Sequence, residues 1–175
     1  MISARGTAIL CVGLLVAPSP EFLAQPAQVP GNQQNQAPSL AASQLDSLVA
    51  PVALYPDPIL SQVLVASTYP LEIVEAARWM KQNGNLQPKD LAAAAAKQSW
   101  DASIQALVVL PEVLTRLNQD VSWTTDLGNA FLAQPDDVMQ AIQRMRQKAS
   151  AAGALESNKE QTVTTTTENN QPVIE

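Results

Sequence analysis

The chain has 175 residues, 46% of them hydrophobic but only 4% aromatic, with a formal net charge of -6, no histidine and one cysteine. That is enough apolar material for one domain with a core, and the Ala, Leu, Val and Gln content favours helices over sheets. Without histidine, and with Cys11 alone inside the first apolar segment, the chain excludes Ser-His-Asp triads, histidine general bases, thiol nucleophiles, His or Cys zinc sites and internal disulfides, while an acidic balance with no basic run excludes a nucleic-acid partner.

Arg5 followed by a charge-free run over residues 6–20 has the outline of a secretory signal peptide, with an apolar centre too short to span a bilayer comfortably as a helix. Residues 1–24 are therefore expected to direct export. Cleavage after Ala24 would put Phe22 where a small residue is preferred, and Leu10 before Cys11 argues against a lipoprotein signal. Residues 25–39, QPAQVPGNQQNQAPS, hold almost no large apolar side chain and are expected to form a disordered linker. The lack of cysteine in the body fits an oxidising compartment.

Residues 40–155 are expected to form an all-α, compact multi-helix domain. Ser39 can cap a first helix over residues 40–49, ended by Pro51. The apolar centre of the chain follows over residues 48–80. There Asp57 and Pro58 open a helix carrying Ile59, Leu60, Val63 and Leu64, and Tyr69-Pro70 stops it and starts another that ends near Asn83-Gly84-Asn85. Downstream helices are expected to pack on this pair. Gln87-Pro88 opens the run Ala92 to Ala96, Ser99-Trp100-Asp101 opens a helix with Ile104, Leu107 and Val108, and Pro111 restarts it. Ser122 is the cap candidate ahead of Trp123 and Leu127, and Pro135 opens a last helix with the stripe Val138, Ile142, Met145 and Ala149. Acidic Asp136 and Asp137 at its start and Arg144, Arg146 and Lys148 near its end suit the helix dipole, and Gly153 closes it. Prolines 58, 70, 88, 111 and 135 thus each stand at a helix start. Residues 156–175 are polar; a Thr-rich strand would have no partner, so a tail is expected.

The residues singled out for binding are Tyr55, Asp57, Tyr69, Glu72, Glu75, Trp79, Trp100 and Trp123. Glu72 and Glu75 share a helix face closely enough to hold a cation or act as an acid and base pair, although such pairs are common on solvated faces. Tyr55, Tyr69, Trp79, Trp100 and Trp123 could line a groove for sugar or peptide, or fill the core with their polar tips at its rim. Asp101 and Asp126 read as caps rather than catalysts. Ser61, Ser67, Thr124 and Thr125 have no histidine to activate them.

The stretches LVAPVALYPDPILSQVLVASTYPLEIVEAARWM, SWDASIQALVVLPEVL and SWTTDLGNAFLAQPDDVMQAIQRMR, the last leading to AAGALESN, together resemble the bacterial family called domain of unknown function 3300 over about residues 45–158. The resemblance implies an exported, mostly helical cell-envelope protein with no catalytic residues to carry over. It implies further that members continue past a segment like NNQPVIE into a Pro and Tyr containing region, so that this chain would stop short of it. The expected function is a binding or structural interaction module for a protein or a cell-wall component in the periplasm or envelope, with no metal or other cofactor. A hydrolase using Glu72, Glu75, Asp101 or Asp126, and a peripheral membrane-associated protein, are the alternatives.

Overall fold

In this computed structural model, residues 39–157, 162–168 and 171–175 are described. The expected export segment lies outside them, as does the expected linker apart from Ser39.

The described residues form α1 (Ala42–Val49), α2 (Asp57–Ala66), α3 (Pro70–Asn83), α4 (Pro88–Ala95), α5 (Ala102–Leu107), α6 (Pro111–Gln119), α7 (Val121–Ala133) and α8 (Pro135–Ala151), then β1 (Thr165–Glu168) and β2 (Gln171–Ile174). The all-α class holds, and its punctuation is proline. Pro70, Pro88, Pro111 and Pro135 are the first residues of their helices and Pro58 the second of its own. The missing N–H of proline falls there among donors that have no partner within the helix, and its fixed φ is already helical. The start of α2 at Asp57 and Pro58 is as expected, with Pro56 before it. Two of the expected caps are corrected. Ser39 does not cap α1; Ala41 precedes the helix, and its N–H donates to Gln44 Oε1 at 2.9 Å. Ser122 lies within α7, whose cap is Asp120, accepting from Trp123 N at 2.9 Å.

The core joins Leu45, Val49, Leu60, Leu64, Ile73, Ile104, Leu107, Leu114, Leu117, Leu127 and Ile142, all fully buried. α1 packs along α8, α2 against α5, and α3 against α6, while α7 touches α1, α2, α3, α6 and α8. Downstream helices α5, α6 and α7 pack on the α2/α3 pair as expected, and α7, which crosses α2, also touches α1 and α8. Gly128 makes the crossing possible, because a β-carbon there would overlap the backbone carbonyl of Ser67. Ser67 itself is buried, its hydroxyl donating to Val63 O at 2.7 Å.

The expected polar tail is also corrected. β1 and β2 pair antiparallel, Thr165 opposite Ile174 and Thr167 opposite Pro172. The pair is seated on α8, with Ile174 buried. The partner strand is the last stretch of the chain, QPVI, whose own pattern gave no strand signal.

Candidate functional site

The expected site residues other than Glu75 and Trp123 fall at two junctions and one corner. The first junction lies where α3 meets the start of α5. Trp79 and Trp100 stack edge to face, centroids 5.6 Å apart and planes at 79°. Trp100 is buried and Trp79 half-buried. Seven residues before Trp79 on α3, Glu72 turns its Oε2 to the backbone N–H of Asp101 at 2.7 Å. Asp101 caps α5, accepting from Ser103 N at 2.8 Å and Ser103 Oγ at 2.6 Å. Those bonds from the Ser103 side chain and backbone hold the Asp101 carboxyl below its ordinary value of 3.8. The Glu72 carboxylate is thus turned to the N–H of the cap residue, and the Asp101 carboxylate to the N–H and hydroxyl of Ser103 within α5. Glu75 and Asp126 are exposed, and Asp126 lies inside α7 and not at its cap. Trp123 is half-buried and donates Nε1–H to Leu48 O at 2.9 Å, fastening α7 to the end of α1.

The second junction centres on Arg146 of α8, which is 4% exposed. Its Nε donates to Ala53 O at 2.8 Å, Nη2 to Tyr55 O at 2.9 Å and Nη1 to Ile174 O at 2.7 Å. Nη2 also meets Asp57 Oδ1 at 2.6 Å. One planar guanidinium therefore satisfies the loop before α2, the first turn of α2 and the end of β2, which its fixed fork of donors suits better than a lysine could. Beside it a cleft of about 60 Å³ is lined by Leu54, Tyr55, Pro56, Leu155, Val163 and Ile174, room for very few waters.

Residues 41–175 match the family described as protein of unknown function (DUF3300). The chain belongs to that family. The match runs through the hairpin, beyond the residues that carried the resemblance in the sequence. Over 135 residues the chain is 46% identical to the uncharacterised protein YacH of Escherichia coli (strain K12), a stretch covering 77% of this chain and 22% of that protein. It thus spans about a fifth of the length of the curated relative it matches. No solved structure matches it.

The third locus of this DUF3300 domain is the corner between α2 and α3. Tyr69 is 41% exposed, Val65 38% and Leu71 78%. Tyr69 N and Thr68 N turn back to Ala66 O and Val65 O, so the three apolar side chains ride on one tight corner. Among the described residues no helix is long and apolar enough to cross a membrane. Arg146, expected only to suit the helix dipole, follows Val138 and Ile142 at intervals of four, on the buried stripe. A charge on that stripe was the available signal of a buried partner set.

Proposed function

We propose that this domain is an exported binding module of the bacterial cell envelope that docks a protein or a wall component through the corner formed by Val65, Tyr69 and Leu71. The observation that carries the reading is the exposure of Leu71, 78%, beside the exposed ring of Tyr69 at the turn between α2 and α3. An exposed tyrosine is the kind of amphipathic side chain that anchors an interface, and Leu71 and Val65 extend the apolar surface around it. Export is supported by the signal-like pattern of residues 1–24. Family membership adds no reaction, and the carboxylates of Glu72 and Asp101 serve backbone donors.

The test has two arms. Residues 1–39 fused to a reporter active only outside the cytoplasm should give signal, and no signal contradicts export. The purified chain should sediment with isolated cell envelopes. Leu71→Asp should lose at least tenfold in the bound fraction while keeping the helical circular dichroism of the parent; equal binding by the variant contradicts the corner as the docking site.

A further inference from the structure

The two edges of the β1/β2 hairpin are treated oppositely. On β2, Ile174 and Pro172 direct their backbone groups away from β1, and α8 meets them. Ile174 N–H donates to Gln143 Oε1 at 2.9 Å, and Ile174 O accepts from Arg146 Nη1 at 2.7 Å and Gln143 Nε2 at 3.4 Å. Pro172 O accepts from Gln147 Nε2 at 3.1 Å, and Pro172 has no N–H to satisfy. Three side chains of α8 therefore stand in for a neighbouring strand and close this edge.

Among the described residues the edge of β1 is open. Thr164 and Glu175 exchange both backbone bonds, at 2.9 and 3.0 Å. By alternation Thr166 also faces β2, so Thr165 and Thr167 aim their N–H and C=O groups outward. Residues 164–167 are exposed, and among the described residues nothing bonds to those outward groups. The three threonines of β1 include none of the lysine or proline that natural edges use as blocks.

We propose that this edge is a self-association surface: β1 of a second copy of the chain pairs with it antiparallel, about a two-fold axis at Thr166. In that register Thr165 of each copy faces Thr167 of the other, and all the outward groups of both residues are used. Thr166 faces its own counterpart, and Thr–Thr pairs across strands are favourable. The product is a four-stranded sheet whose two outer edges are both β2, already closed by α8. Addition stops at two copies and yields no fibre. Because a four-residue strip buries far less than the roughly 1,600 Å² of a standard interface, the dimer is weak, populated near about 1 mM chain and absent near about 10 µM.

Sedimentation of the full chain across that concentration range reads the outcome. The parent should shift from monomer to dimer, and Thr165→Pro, which removes an outward N–H without touching a bond to β2, should stay monomeric. Amide exchange supplies the second readout on the unaltered chain. Protection of Thr165 and Thr167 should rise at least threefold with concentration, while that of Thr166 and Val173 stays constant. A parent that remains monomeric, a Thr165→Pro chain that dimerises like the parent, or protection independent of concentration overturns the proposal.

Discussion

Gly128 of α7 and Ser67 at the end of α2 touch backbone to backbone, with no space between them for a β-carbon. Neither partner can yield by rotating a side chain, since the atoms in the way are the Ser67 carbonyl and Thr68 N. Gly128→Ala should therefore destabilise the domain by about 3 kcal/mol, the upper end for overpacking, even though alanine is the better helix former. Urea unfolding followed by circular dichroism measures it, and a variant as stable as the parent would contradict the close crossing.

Arg146 and Asp57 form an ion pair whose two halves should behave unequally. Arg146→Met leaves the carbonyls of Ala53 and Tyr55 without their donor and should lower stability by about 3 kcal/mol. It should also loosen the hairpin on α8, where Gln143 and Gln147 keep their bonds to β2. Asp57 is 49% exposed, and Asp57→Asn should lower stability by less than about 1 kcal/mol, as exposed pairs do. Denaturant midpoints of the two variants, with proteolysis after residue 157 as a probe of the hairpin, give the comparison.

Acid should weaken the contact between α1 and α8. Asp46 Oδ2 accepts from Lys148 Nζ at 2.8 Å, and its Oδ1 meets Arg144 Nη2 at 2.7 Å. Hydrogen bonds from Lys148 and then Arg144 hold the Asp46 carboxyl below its ordinary value of 3.8. A folded-state pKa below the unfolded one means that the stabilising contribution is complete above the ordinary value and is lost as pH falls through the lowered one. Melting temperature should drop below about pH 4, and Asp46→Asn should reduce the size of that drop while lowering stability at pH 7. A variant with an acid limb as steep as the parent's would contradict this.

Glu72 should prove to be a positioning residue of the fold. Glu72→Gln keeps an acceptor for Asp101 N and should change stability by less than about 1 kcal/mol, whereas Glu72→Ala removes it and should lower stability by about 2 kcal/mol. Thermal melts of both variants decide this. Equal losses in the two would mean that the charge, and not the bond to Asp101, matters at this position.

The helical body was legible because its signals are local. A proline at a helix start, a capping Asp101, and Gly153 with its φ of +69° at the end of α8 are each readable within a few residues. The errors have the opposite character. Whether Ser122 or Asp120 caps α7 depends on where the chain leaves α6, and the backbone enters α7 at Asp120 without an intervening turn. The hairpin depends on α8 side chains supplying the bonds that a third strand would, a relationship between Gln143 and Ile174 that no local pattern encodes. The candidate aromatics are expected either to line one groove or to fill the core, and the fold distributes them. Trp79 and Trp100 lock α3 to α5, Trp123 fastens α1, and Tyr69 stays at the surface.

The most direct test of the binding corner is a photo-activated crosslinking residue placed at Leu71 in living cells, with the same residue at exposed Lys97 as control. The account predicts a discrete adduct of defined mass in the envelope fraction from position 71 and none from position 97. The absence of an adduct at 71, or the same adduct from both positions, would contradict it.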